Sequence, residues 1–187
     1  MRSLLDKAVG GDQEAIGEVV EQKFKDIFYF ALSQTNYQDA EDISHNVVVH
    51  IYNSIGRLQD VGKFQGWLMK IVYHECLNYR RKTKRDLAQL SEAALDKMEN
   101  MEDENRDFIP EEFILSEEKR DLVLRSLKEL PERYSTCLTL HYLDGLSREE
   151  IADVLGVNLK SIYNDMYRGR NLLKEKIEKK AGREFIY

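Results

Sequence analysis

Within residues 146–170, LSREEIADVLGVNLKSIYNDMYRGR, five polar side chains recur on one side of an expected helix: Lys160, Ser161, Tyr163, Asn164 and Arg168. Hydroxyl, carboxamide and cationic groups of this kind bond base edges and phosphate oxygens. A second set of such groups lies earlier in the chain. Tyr73, His74, Asn78 and Tyr79 are interleaved with Lys70, Arg80, Arg81, Lys82, Lys84 and Arg85. Aromatic rings that stack on bases, worth about 1–3 kcal/mol per base, combined with cations that track a backbone, suit single-stranded nucleic acid. Nothing comparable points to catalysis. There is no phosphate-cradling glycine loop, no metal-ligand set, and no Ser or Cys nucleophile with a matched base. No catalytic residue, metal or cofactor is therefore expected, and the chain is not read as an enzyme. The lone His74-x-Cys76 pair is read as packing rather than zinc ligation.

Groups that read a nucleic acid need rigid carriers. Ser147 followed by Glu150 forms a capping-box pattern, so a helix is expected to start there. Ile151, Val154 and Leu155 give it an apolar stripe, and Ala152 is small enough for a following helix to cross closely. Gly156 then supplies a left-handed helix end, Val157 is expected to plug the corner, and a second helix is expected from about Asn158 with Ile162 and Met166 inward. This is a helix-turn-helix pattern, in which the second helix enters the major groove of duplex DNA.

Earlier, Asp12 reads as the N-cap of a helix reaching about Ser33, with Ile16, Val19, Val20, Phe24, Ile27, Phe28 and Ala31 along one side. A second helix is expected from about Gln38 to Ile55, with Ala40, Ile43, Val47 and Ile51 inward and Gly56 ending it. Asp39, Glu41 and Asp42 crowd its first turn, where the helix dipole favours negative charge; beside Val48 and Val49, this exposed acidic start could also dock a partner. A third helix from Lys63 carries Phe64, Trp67, Leu68, Ile71, Val72 and Leu77 before running into the basic tail. After residue 116, Leu122, Val123 and Leu127 line one helix, and Pro131 opens the next with Tyr134, Cys137, Leu138 and Leu140. Leu143, Asp144 and Gly145 turn the chain into the helix-turn-helix, whose last helix is expected to run through Leu172, Leu173 and Ile177 to about Lys180.

The 187 residues carry a net charge of −6, which argues against a uniformly basic nucleic-acid binder. The charge is unevenly placed. Residues 89–118 hold 11 acidic side chains against 2 basic, a local charge of −9, whereas residues 70–85 hold 6 basic against 1 acidic and residues 160–180 hold 7 against 3. Two positive patches thus flank an acidic bridge, whose charge would compete with DNA for them. With 2 Pro, 10 Gly and no alternating run of β-branched residues, an all-α chain is expected. It comprises two small helical domains, residues 1–88 and 116–187, joined by an acidic linker over residues 89–115, and the C-terminal domain is the helix-turn-helix. Cys76 and Cys137 are too few for a disulfide framework, and neither a signal peptide nor a membrane-length apolar run is present. A cytosolic chain with reduced thiols and no membrane insertion is the expectation.

With both halves laid out, the sequence resembles the sigma-70 superfamily of bacterial RNA polymerase initiation factors, specifically the small two-domain extracytoplasmic-function (ECF) type. The C-terminal likeness runs over residues 127–173, LKELPERYSTCLTLHYLDGLSREEIADVLGVNLKSIYNDMYRGRNLL, and the N-terminal one over about residues 11–85 through GDQEA, DAEDI, FQGWLMKIV and RRKTKR. The resemblance implies an N-terminal domain that binds core RNA polymerase and opens the downstream (minus ten) promoter element, and a C-terminal domain that reads the upstream (minus thirty-five) element. By position it places Asp39, Glu41, Asp42, Ile43 and His45 in the core-binding helix. It places Trp67, His74, Asn78, Arg80, Arg81 and Lys82 at the downstream element, and Lys160, Ser161, Tyr163, Asn164, Asp165 and Arg168 in the recognition helix. His45 stands where the family commonly has Gln, and His74 and Asn78 where it has Asn and Asp. Asp165 stands where a basic residue is usual; a carboxylate there would be repelled by phosphate but could accept from a cytosine amino group.

What the resemblance implies is a sigma factor partnered by core polymerase and promoter DNA, held in check by an anti-sigma factor in some systems, and cytoplasmic on the nucleoid. The alternative is a stand-alone helix-turn-helix transcriptional regulator with an N-terminal sensor or dimerisation domain. The basic, aromatic helix at residues 70–85 separates the two, since a sensor has no need of it.

Overall fold

The computed structural model describes residues 1–87 and 117–184, which are helical with short connections and contain no strand. The acidic linker, and with it the expected competition between linker and DNA, lies outside the described residues. The chain divides into two compact units, Met1–Glu99 and Asn100–Tyr187.

In the first unit the helices are α1 (Arg2–Val9), α2 (Gln13–Gln34), α3 (Tyr37–Ser54) and α4 (Phe64–Leu87). Asp12 caps α2 as expected, its carboxylate accepting from the Glu14 and Ala15 amides at 3.0 and 3.1 Å. Asn36 caps α3 by accepting from the Asp39 amide at 3.0 Å, so that helix begins a residue before the expected start. Helices α2, α3 and α4 pack on one another around Ile27, Phe30, Ile43, Val47, Ile51, Leu68, Met69 and Val72, all buried. The sequence reading missed α1, which lays Leu5 and Ala8 against α2 and is turned into it through Gly11 at φ +93°. It also misassigned the end of α3. Gly56 takes no left-handed conformation; it sits inside a 3₁₀ turn, Ile55–Arg57, and that tightening keeps Ile55 in the core.

In the second unit the helices are α5 (Glu117–Lys128), α6 (Glu132–Tyr142), α7 (Arg148–Leu155) and α8 (Leu159–Glu184). Val123, Leu127, Leu130, Leu138 and Leu173 form the core, with Tyr142, Leu143 and Ile177 packed against it. Helix α8 crosses α6 at Gly169. A Cβ there would lie 3.0 Å from the Tyr134 Cβ and 3.1 Å from a Leu138 methyl, so hydrogen is the only substituent that fits without displacement.

The capping box of α7 is formed in full: the Glu150 amide donates to the Ser147 hydroxyl at 3.2 Å, and the Ser147 amide donates to the Glu150 carboxylate at 2.9 Å. Gly156 closes the helix at φ +68°, and Asn158 caps α8 by accepting from the Ser161 amide at 2.8 Å. Val157 does not plug the corner. The backbone leaving the left-handed Gly156 turns it outward, 45% exposed, and the buried apolar positions flanking the turn are Ile151, Val154 and Ile162. Replacing Ser147 by Ala is expected to cost the second unit about 1 kcal/mol. Thermal unfolding followed by circular dichroism checks this, and an unchanged transition would mean the cap contributes nothing.

Candidate functional site

Helix α8 presents the first candidate surface. Ile162 and Met166 are fully buried, which fixes the rotation of the helix and leaves Lys160 exposed and Ser161, Tyr163, Asn164 and Arg168 partly exposed. The Ser161 hydroxyl is engaged locally, donating to Asn158 Oδ1 at 3.0 Å. Arg148, at the start of α7, lies over the Tyr163 ring with its guanidinium carbon 5.0 Å from the ring centroid.

Asp165 departs from expectation. Instead of facing outward with the residues expected to read bases it is buried, 6% exposed, and paired with Arg133 in the first turn of α6. The reason is helical phase: Asp165 follows Ile162 by three residues and precedes Met166, so it falls at the edge of the inward face. A carboxylate there is tolerated because a charge-assisted hydrogen bond compensates its desolvation. The same bond holds the Arg133 guanidinium above its ordinary pKa, despite opposing desolvation. The neighbouring Cys137 thiol is pushed up to about 12, chiefly by burial and further by the Asp165 carboxylate, so it stays protonated at neutral pH. Burial likewise pushes Cys76 up to about 12.

Helix α4 presents the second surface. His74 follows Trp67 by seven residues and Asn78 follows His74 by four, and Arg81 and Lys82 lie three and four residues beyond Asn78, which aligns all five along one side. Trp67 is half-buried, with its ring 5.9 Å from that of Phe64, while His74, Asn78, Arg81 and Lys82 are exposed. Arg80 does not belong with them. Two residues on from Asn78, it turns towards α2, is partly buried, and donates to Gln34 Oε1 at 2.6 Å. Burial lowers its pKa from the usual arginine value.

The third surface belongs to α3. Glu41, Asp42 and His45 are exposed and Asp39 is half-exposed, held by the Asn36 carboxamide at 2.7 Å. Ile43 is a correction: it is buried in the core of the unit and cannot touch a partner. Between α2 and α3, Glu41 and His45 line a groove of about 220 Å³ with Phe24, Lys25, Phe28, Tyr29 and Tyr37. The groove is aromatic. Phe28 meets Tyr37 edge to face at 5.3 Å between ring centroids, and Tyr37 is 62% exposed. Sequence reasoning assigned Phe24 and Phe28 to the core and did not foresee this groove. The spacing of Phe24, Phe28, Tyr37, Glu41 and His45 on two antiparallel neighbours was the available signal.

Among the described residues, no cluster of His, Cys, Asp or Glu could hold a metal, and no helix is long and apolar enough to cross a membrane.

Comparison with known proteins matches both units. The family model described as Sigma-70 region 2 matches residues 19–86, and that described as Sigma-70, region 4 matches residues 120–173. The chain is 27% identical over 172 residues to the ECF RNA polymerase sigma factor SigW of Bacillus subtilis, covering 89% of this chain and 91% of that protein. It is 26% identical over 186 residues to the ECF RNA polymerase sigma-E factor of Escherichia coli K12, covering 94% and 93%. Among solved structures it resembles the sigma factor RpoE in complex with the anti-sigma factor NepR from Bartonella quintana, with a TM-score of 0.66 at 18% identity over 87% of this chain and 96% of that one. It also resembles CnrH in complex with the cytosolic domain of CnrY, with a TM-score of 0.63 at 21% identity over 95% and 96%.

Proposed function

Since the chain belongs to the sigma-70 family, as one of its ECF factors, we infer that it binds core RNA polymerase and directs promoter-specific initiation of transcription. The observation that carries this reading is the presence, in one chain, of a region 2 match and a region 4 match, each on a helical unit that displays a cationic or hydrogen-bonding stripe. It contributes no chemistry of its own; the polymerase supplies the catalysis. It works where the polymerase works, in the cytoplasm on the nucleoid. An anti-sigma factor is a fitting regulator, because the RpoE structure it resembles is a complex of a sigma factor with an anti-sigma factor.

In this reading residues 1–88 form the region 2-like domain and residues 116–187 the region 4-like domain. The groove beside Glu41, Asp42 and His45 on α3 meets the polymerase. The α4 stripe of Trp67, His74, Asn78, Arg81 and Lys82 meets the downstream element, and Lys160, Ser161, Tyr163, Asn164 and Arg168 on α8 read the upstream one. The test is co-purification with core polymerase followed by run-off transcription from fragmented genomic DNA. Promoter-dependent transcripts are expected. DNA binding without any association with polymerase would instead indicate a stand-alone regulator.

The two DNA-facing helices are expected to divide the work. Replacing Asn164 by Ala should change preference at one position of the upstream element, by about 1–3 kcal/mol if the carboxamide makes a bidentate base contact. Promoter selection from a randomised pool measures it, and equal loss on every sequence would remove Asn164 from base reading. Replacing Arg81 and Lys82 by Ala should instead impair strand opening, with partial rescue by a pre-melted bubble template. Permanganate footprinting reads that step directly; normal melting would detach the basic stripe from it.

A further inference from the structure

Resting on the region 4-like reading, the geometry points to Arg133 as a DNA-backbone contact that Asp165 holds in place. Tyr163 and Asp165 are two residues apart on α8, about 200° around a 3.6-residue helix, so they mark opposite flanks of the recognition helix. Each flank carries an arginine from a different helix. Arg148 of α7 lies over Tyr163, and Arg133 of α6 is bonded to Asp165.

A helix of roughly 10–12 Å diameter fills a major groove about 12 Å wide, and the walls of that groove are the two phosphate backbones. The first helix of a helix-turn-helix crosses one backbone. Arg133 stands on the other side. Its side chain is 44% exposed although its partner carboxylate is 9% exposed, and its guanidinium carbon lies 5.3 Å from the centroid of the Tyr134 ring, so the group is held by the carboxylate and the ring while part of it remains open to solvent. A guanidinium offers five donors in a planar fork, which lets one edge bind the carboxylate and another bind phosphate. Asp165 is then a positioning residue: it takes no part in reading bases, and it spends its charge on aiming Arg133.

The sign of one effect separates this arrangement from simple electrostatics. A carboxylate near DNA repels it, so removing the charge at Asp165 would tighten binding if repulsion were all that mattered. The positioning role requires the opposite result. The test uses core polymerase reconstituted with the full chain and a duplex enriched by the wild-type holoenzyme from a randomised pool. Binding is measured over roughly 50–200 mM salt. Loss of one phosphate contact changes the slope of log K against log salt by about 0.9, so the affinity ratio of wild type to Arg133→Ala should shrink about threefold across that range. Asp165→Asn should weaken binding with a shallower slope as well. The double variant should bind no worse than Arg133→Ala, and Asp165→Glu should restore part of the slope. Thermal unfolding of each variant separates these effects from instability.

An unchanged slope in Arg133→Ala, tighter binding by Asp165→Asn, or additive losses in the double variant would each overturn the proposal. Failure of the wild-type holoenzyme to select any duplex would instead overturn the region 4-like reading.

Discussion

A variant carrying Glu41→Lys and Asp42→Lys is expected to bind core RNA polymerase at least about a hundredfold more weakly than wild type. Both carboxylates are exposed on α3, with Glu41 lining the aromatic groove and Asp42 beside it. A surface that displays acid over an apolar groove is complementary to a partner presenting basic and apolar groups. Reversing two charges in such a contact sets like against like, which costs several kcal/mol, and each 1.4 kcal/mol is a factor of ten. Neither side chain supports the core, since Ala40, Ile43, Val47 and Ile51 do that from the other face. Helicity should therefore be unchanged. Competition binding with a labelled wild-type factor measures the loss, and wild-type affinity in the double variant would move the polymerase contact away from α3.

The second large effect is structural and should stay confined to the second unit. Leu138 is fully buried in the small core formed with Val123, Leu127, Leu130 and Leu173, and one of its methyls lies where α8 passes α6 at Gly169. Truncating it to Ala removes its buried side chain and leaves a cavity, at an expected cost of about 2–5 kcal/mol. Whole domains are stable by only about 5–15 kcal/mol, so this is a large share. Melting of that unit should fall by about 10 °C or more, and upstream-element recognition should fail with it. Association with polymerase through α3 should persist, because α3 belongs to the first unit. Loss of polymerase binding and upstream recognition in the same proportion would show that the units do not divide the work this way.

How legible each feature was in the sequence follows from how far apart its parts lie along the chain. Ser147 with Glu150, the left-handed Gly156, and Asn158 with Ser161 are all made between residues at most four positions apart. The helix-turn-helix could therefore be read directly. Its inward pair, Ile162 and Met166, was equally legible from spacing. Asp165 was not, because the partner that lets a carboxylate sit at the edge of the inward face is Arg133, 32 positions away, and charge alone suggests an outward side chain. Arg80 failed for the same reason: its partner Gln34 is 46 positions distant, and within the run RRKTKR it reads as one more surface cation. Ile43 shows a different error. Its spacing placed it in the core, and its inclusion among partner-binding residues came only from its place in the DAEDI motif.

The local character of the turn between α7 and α8 also has a kinetic consequence. Closing a short loop costs little entropy, so a motif whose caps and left-handed glycine lie within a dozen residues can form before distant parts of the chain have met. The contact between Gly169 and Leu138 spans a much longer loop and is expected to form later. Substitutions at Ser147 should then slow folding, whereas those at Leu138 should mainly speed unfolding. The corner between α7 and α8 would be the nucleus of its unit, assembled first and lost last.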